Sequence, residues 1–591
     1  MQRAPARPHS KYPHVDTIVP IDPSIDDTDP PQKISENAIS EEHRGTRKLV
    51  HACLHLSYAR LTTALLFLGF LCIADRAFSQ EQARPDVHDR IRDTALNHSR
   101  IMETVEYLSD VCGPRLTGSP NLKRAEEYAR DKLREWGLPN AHLETWGPFG
   151  RGWLLERFTG SLVSPRFVPL IAYPKAWSPG THGTVRADAV LLNPKSVADL
   201  ENYRGKLKGK IVLFSAERQV DPLFEPPAHR RTDDELLQLA HAAPPGEPRP
   251  FQFTPEQRST QELNFRKWQF VQSEGAAVVL EPSYRDGGTV YVTAATVPSA
   301  PDVPLDKRAR AWDLSKPAVT PQVEVSAEQY NEIVRMAMRG MDVQLEVNLA
   351  ARFFDDDPMS YNVVGEIPGT DLRNEVVMIG GSIDSWHAAT GATDNAAGAA
   401  TALEVIRILQ TLALKPRRTI RIALWSAEEQ GSLGSRAYVA AHLGRKVSAV
   451  EVQGARARYE LKPEHEKFDV YLNFDYGTGR IRGLYLQGNE AARPIFRVAL
   501  ARYAELGAST LSIANIGSTD HVPFDELGLP AFQWIRDYME GDNTRAPHTN
   551  MDTLDHVLED DLKQASAVGA GVVYDLAMRE EKVPRKPMPA Q

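Results

Sequence analysis

The chain has 591 residues, too many for one hydrophobic core, and the usual size of a domain divides it into about three units. Its 42% hydrophobic and 25% charged content is that of a soluble globular protein, and a net charge of −9 excludes the basic footprint of a nucleic-acid binder. Three cysteines, Cys53, Cys72 and Cys112, offer neither a disulfide framework nor a cysteine-based zinc site.

Residues 1–48 are polar and Pro-rich without apolar periodicity, which reads as disorder or as an over-extended gene start. Residues 49–79 read as a signal peptide. Arg60 precedes the apolar run Leu61–Ala74, and Ala77-Phe78-Ser79 offers a small-x-small cut before Gln80. The run falls short of the roughly 20 apolar residues that span a bilayer, so no stable membrane span is expected after cleavage. The mature chain is expected to be exported, secreted or periplasmic. A buried helix is the competing reading of the same run, and the large Leu71 before Cys72 argues against a lipoprotein.

From Asp86 to Trp146 the pattern is helical. In Asn121–Trp136, Leu122, Ala125, Tyr128, Ala129, Leu133 and Trp136 fall near one face, and the turn GPRLTGS (113–119) leads into that helix. Residues 86–165 therefore read as an N-terminal part of the main domain. Residues 177–350 form an inserted, β-rich domain. Its strands are expected at Val185–Leu192, Lys210–Phe214, Ala276–Leu280 and Thr289–Val292, with helices at Gln261–Ser273 and Ala327–Met338. The Pro-rich stretch Val220–Pro255 reads as a long loop.

Residues 355–580 alternate strands with longer helices. Strands are expected at Glu375–Gly380, Arg418–Ser426, Val470–Phe474, Leu484–Gln487 and Ala531–Ile535. Helices are expected at Ala396–Leu412, Glu490–Leu506 and Glu559–Met578. That alternation predicts an α/β fold: a mixed, mostly parallel sheet flanked by helices, with ligands at the carboxyl ends of its strands.

Four segments place a carboxylate or an imidazole at such ends. They are GGSIDSWHAATGATDNAAG (380–398) with Asp384 and Asp394, LWSAEEQGSLGS (424–435) with Glu428 and Glu429, NFDYGTG (473–479) with Asp475, and PHTNMDTLD (547–555) with His548. Any one acid alone reads as a solvated loop end. Several converging on one cleft cannot all stay ionised without a cation, and oxygen ligands with one imidazole suit a divalent metal such as zinc. No G-x-S-x-G elbow appears, and HExxH is absent because His465-Glu466 is followed by Lys467, Phe468 and Asp469.

These segments, with the entry GPRLTGSPNLKRAEEYA and the ending HTNMDTLDHV, resemble the M28 metallopeptidases over about Asp86–Met578, particularly the carboxypeptidase Q-like branch with an inserted protease-associated domain. The resemblance implies a zinc exopeptidase, an aminopeptidase or a carboxypeptidase/dipeptidase, acting on short peptides. It makes Asp394 a bridging ligand before a cis Asp394–Asn395 peptide, and Glu429 and His548 the completion of one metal site. Asp475 belongs to the other site, and Glu428 is the general base that moves the proton of an activated water. Where the family has His-x-Asp, this chain has Ser382-Ile383-Asp384, and a serine hydroxyl is a poor zinc ligand. One tightly bound zinc is therefore expected, with a second held weakly or not at all, and Asp384 would lose the imidazole it supports in the family. His387 is the candidate substitute ligand. His521 is weighed between pocket lining and a structural role, and His556 is expected to cap or pack near the last helix.

Two other readings remain open. Transferrin-receptor-like relatives show that the fold can serve as a catalytically silent binding ectodomain, and glutaminyl cyclases run on a single zinc, which allows a cyclase or acyltransferase. A homodimer is compatible with all of them.

Overall fold

The structure, a computed structural model, describes residues 86–587 apart from 223, 225, 227, 247–252, 448–457, 476 and 538–545. The segments 1–48 and 49–79, with the apolar run and the cut before Gln80, lie outside the described residues. Among the described residues no helix is long and apolar enough to cross a membrane.

The central sheet has eight strands: β1 (His142–Trp146), β2 (Ser360–Ile367), β3 (Leu372–Ser382), β4 (Arg418–Trp425), β5 (Phe468–Asn473), β6 (Ile481–Tyr485), β7 (Thr510–Ser512) and β8 (Ala531–Arg536). Their order is β1-β2-β4-β3-β5-β8-β6-β7. The middle run β4-β3-β5-β8 is parallel, and β1, β2 and β6 pair antiparallel around it. The fold is thus mixed α/β, as the alternation of strands and helices predicts. β4 and β5 are almost wholly buried, and so is β3 from Val377 to Ser382, as strands covered on both faces must be.

Two helices cover one face. Ala397–Thr411 is buried from Ala397 through Leu409, because its Ala, Val, Ile and Leu residues run round the whole helix rather than along one stripe. Glu559–Met578 shares that core, and it comes so close that a Cβ on Gly571 would lie 1.6 Å from the Tyr503 hydroxyl. Pro120–Glu135 begins where Ser119 accepts the Leu122 N–H at 3.2 Å, with Pro120 in the first turn.

A second eight-stranded sheet is built from Gly152–Phe354. Its order is Val168–Pro169, Gly152–Ser164, Gln344–Phe354, Thr184–Leu191, Ile211–Leu213, Val278–Pro282, Gln322–Val325 and Ala172–Pro174. It has its own core, in which Tyr330, Ile333 and Val334 of the helix Ala327–Met338 pack on Ile211, Leu213, Val278 and Leu280. Gly152–Ser164, grouped above with residues 86–165, pairs along its length with Gln344–Phe354 in this sheet.

Several local expectations are corrected. The helical reading up to Trp146 ends earlier, because His142–Trp146 is claimed by the edge of the central sheet. The stretch Val220–Pro255 contains the helix Asp233–Ala240, started by a Thr232–Glu235 capping box. Thr289–Val292 forms no strand; Tyr291 makes a single antiparallel bridge to Thr549. The single helix expected over Glu490–Leu506 is Arg493–Ala501 with a short 3-10 turn at each end.

Candidate metal centre and active site

Register brings the chemistry to one edge. Ser382 pairs with Trp425 and Gly380 with Asn473, so β4, β3 and β5 end nearly level. The loops that leave these ends carry Glu428 and Glu429, Asp384, and Asp475. Asp394 stands at the irregular turn before the helix Ala397–Thr411, and its peptide to Asn395 is cis. The backbone there is tightly packed: a Cβ on Gly398 would lie 2.2 Å from the Phe474 carbonyl and 2.3 Å from Asn395 Oδ1.

Asp394, Glu429 and His548 come together. His548 Nε2 lies 3.2 Å from Asp394 Oδ2 and 3.0 Å from Glu429 Oε2. Among the described residues this is the group of three His, Cys, Asp or Glu side chains whose ligand atoms could close on one metal ion. The electrostatics suit a cation at this place. Burial raises the Glu429 carboxyl to about 8 against the pull of His548, and burial with Asp475 and Asp520 raises Glu428 well above the usual carboxylate range. Burial opposes the charged form of His548, but Glu429 and Asp394 outweigh it and raise its pKa. Two carboxylates and an imidazole, left without a fourth protein ligand, are the donor set of an open zinc site.

The other sequence candidates take separate places. Asp384 is buried and accepts the backbone N–H of Glu428 at 3.1 Å, that of Glu429 at 3.4 Å and the Thr117 hydroxyl at 3.0 Å, and burial raises its carboxyl to about 7. It therefore has three partners of its own. Asp475 stands outside the trio and accepts the Thr519 hydroxyl. The Ser382 hydroxyl accepts Asn395 Nδ2 at 3.0 Å, a link between the end of β3 and the turn that carries Asp394. His387 is not at the trio: its Nε2 donates to the Pro174 carbonyl at 2.7 Å, and its ring sits edge-on to Trp153. His521 is wholly buried against Gln487 and the Ile516 carbonyl, which is the structural alternative. His556 lies in the turn Leu554–His556 before the last helix, beside the Thr553 hydroxyl.

Sequence reasoning missed four residues. Asp552 accepts the N–H groups of Thr393 at 2.6 Å and Asp394 at 3.2 Å, and so seats the ligand-bearing turn. Its signal lay within the quoted PHTNMDTLD. Arg115, wholly buried, donates to the carbonyls of Ile383, Thr390 and Gly391 and ties the Asp384 loop to the Asp394 turn. Its place in GPRLTGS was read only as a turn. Asp520 is wholly buried beside the acids; Ser435 donates to its Oδ1 at 2.6 Å. Tyr291, with its hydroxyl 2.9 Å from His548 Nδ1, had no signal in the sequence.

A cavity of about 970 Å³ adjoins the trio. Glu429 and Trp386 form one wall, and Lys267, Trp268 and Trp312 of the second-sheet region form another. The volume is that of a site for a small ligand or short peptide.

Residues 362–573, which carry all the acids and the imidazole of this edge, match the model of Peptidase family M28. Over that segment the chain is similar to peptidase family M28. Mouse Carboxypeptidase Q is 25% identical over 497 residues, covering 82% of this chain and 87% of the relative. Aminopeptidase YwaD of Bacillus subtilis (strain 168) is 28% identical over 248 residues, 41% of this chain and 50% of that protein. The crystal structure of a Peptidase M28 precursor from Shewanella amazonensis SB2B shares the fold with a TM-score of 0.59 at 24% identity, covering 85% of this chain and 98% of that one. The family match and the donor set together make this chain a metallopeptidase, and zinc is the ion that an Asp, a Glu and a His suit.

Proposed function

We propose that this chain is an exported zinc exopeptidase that hydrolyses the terminal peptide bond of short peptides. The observation that carries the reading is the convergence of His548 Nε2 on Asp394 and Glu429 at 3.2 and 3.0 Å, next to Glu428 and beside the cavity. Asp394, Glu429 and His548 would hold the ion. When bound, zinc supplies Lewis-acid polarisation of the scissile carbonyl and lowers the pKa of water toward neutrality.

The remaining steps belong to the chain. Glu428 takes a proton from the attacking water and passes it to the leaving amine as the C–N bond breaks. Asp384 holds the loop of Glu428 and Glu429 through their N–H groups. Asp552 and Arg115 fix the turn that carries Asp394. The region Gly152–Phe354, a protease-associated-like insert in this reading, supplies the cavity wall opposite Glu429.

One zinc is the proposed complement. Ser382 stands where the family has an imidazole, and its hydroxyl is already engaged by Asn395. Export rests on the apolar run and the cut before Gln80. The test is metal analysis of the purified mature chain, with a panel of peptides bearing free or blocked amino and carboxyl ends. Zinc near one per chain, with cleavage of end bonds only, supports the reading. Zinc-bound protein that cleaves none of the panel overturns it.

A further inference from the structure

His548 is held by a segment from the second-sheet region. Tyr291 bridges to Thr549, Val292 N–H donates to the His548 carbonyl at 2.8 Å, and Asn550 N–H donates to the Val290 carbonyl at 3.2 Å. Val290 N–H donates in turn to Asn550 Oδ1 at 2.7 Å. Residues 290–292 and 548–550 are thus zipped together over three residues each. The side chains continue the contact. The Tyr291 hydroxyl lies 2.9 Å from His548 Nδ1, the two rings stack with centroids 5.3 Å apart, and Trp386 flanks the imidazole at 5.9 Å.

His548 has φ of 61°, in the left-handed region that non-glycine residues seldom adopt. Such a conformation is strained and persists only where its surroundings over-determine it, and the zip provides that constraint. The ring is constrained as well, by the Tyr291 hydroxyl at Nδ1. An imidazole that offers one nitrogen to a metal carries its proton on the other, and the partner of that other nitrogen sets the tautomer and orientation. Nε2 faces Asp394 and Glu429, and Nδ1 faces Tyr291. With the proton on Nδ1, the Tyr291 hydroxyl accepts it as a hydrogen bond, and the Nε2 lone pair is aimed at the two carboxylates.

We infer that Tyr291 is a positioning residue of the metal centre, so that zinc affinity depends on a segment outside the central-sheet domain. The inference rests on Asp394, Glu429 and His548 being the zinc ligands. The same segment runs on into Thr293 and Ala294, which line the cavity, so the clamp on His548 and one wall of the cavity are a single piece of chain.

The test measures zinc affinity of the mature chain by competition with a chelator, together with the melting midpoint of the zinc-free protein. Tyr291→Phe keeps the ring and the backbone zip and removes only the hydroxyl. It should lose about 10–100-fold in zinc affinity, the usual effect of removing an outer partner of a metal ligand, with the zinc-free midpoint unchanged. A merely structural role would lower that midpoint and leave the affinity alone. Parent-like affinity in Tyr291→Phe overturns the inference. Parent-like affinity in His548→Ala overturns the ligand assignment beneath it, so the two failures are told apart. Should Tyr291→Phe not fold, Asn550→Ala, which loosens the zip without touching either ring, is judged by the same criterion.

Discussion

Asp384 Oδ1 accepts the backbone N–H of Glu428 at 3.1 Å, so the acid that follows β3 anchors the loop that follows β4. The two loops lie more than 40 residues apart in sequence, and this bond joins them. Asp384 therefore has a structural task of its own at this edge.

Removing that anchor should separate folding from turnover. Asp384→Ala strands two N–H groups at a buried position, at roughly 1–3 kcal/mol for each group left without a partner. Asp384→Asn keeps one carbonyl acceptor. The alanine variant should melt well below the asparagine variant, and both should lose turnover because Glu428 and Glu429 are no longer fixed. Thermal melting and kcat on a shared dipeptide substrate read the two effects. Parent-like turnover in Asp384→Ala would remove its positioning role.

Glu428 and Glu429 are adjacent, and their expected failures differ. Glu429 touches His548 and belongs to the trio, whereas Glu428 lies among Asp475, Asp520 and Asp384. Glu429→Gln should release zinc. Glu428→Gln should retain zinc and lose about 10²–10⁴-fold in kcat, the range for a general acid–base residue. Zinc content and kcat measured on the same preparations decide it, and the reverse pattern would exchange the two roles.

The parts of the molecule that sequence makes plain are those governed by local pattern. Glu559–Met578 and Ala327–Met338 begin and end where periodicity and flanking residues place them. β3, β4 and β5 follow from apolar runs between turn signals. His142–Trp146 could not be read the same way, because its state is decided by pairing with Ser360–Ile367, more than 200 residues on. Asp233–Ala240 was hidden by surrounding prolines, although Thr232 and Glu235 carried its capping signal. The same division holds at the site. Asp394, Glu429 and His548 are chemically conspicuous and sit in Gly- and Asn-rich loops. Tyr291 and Arg115 matter only through contacts with chain distant in sequence, and neither residue type announces such a contact.

Acid should destabilise the fold through His387. Burial holds its pKa down to about 4 from 6.5, with Nε2 fixed on the Pro174 carbonyl. The folded state then binds fewer protons than the unfolded chain between those values, so stability is full above about 6.5 and falls as pH drops toward 4. The shift corresponds to ~3 kcal/mol for this residue. Asp384 and Asp552, both raised to about 7 by burial, act in the opposite direction, so the parent profile alone is a mixture. The difference between parent and His387→Gln isolates the imidazole. Denaturant unfolding from pH 7.5 to 4.5 should show that difference changing steadily as pH falls, and a pH-independent difference would exclude the effect.

Ser382 separates a one-zinc from a two-zinc centre. Its hydroxyl is nearly excluded from solvent and accepts Asn395 Nδ2 at 3.0 Å, while the same Nδ2 also reaches the Phe474 carbonyl at 2.9 Å and the Ser382 carbonyl at 3.3 Å. Ser382→Ala removes one of three acceptors of that amide, so it should cost no more than about 1 kcal/mol and leave zinc content unchanged. Ser382→His places an imidazole before Asp384, with Asp394 and Asp475 already on the neighbouring loops. Stoichiometry should then rise from about one zinc per chain toward two, and peptidase activity should rise with it if the fold works best with two ions. Metal analysis of parent, alanine and histidine variants reads this directly. A parent that holds two zinc ions tightly would require another ligand. His387, bonded to Pro174 and packed on Trp153, would have to leave that position to supply it. Two tightly held ions in the parent that persist in Ser382→Ala would therefore end the single-zinc reading and point to a rearrangement of the loop 383–391.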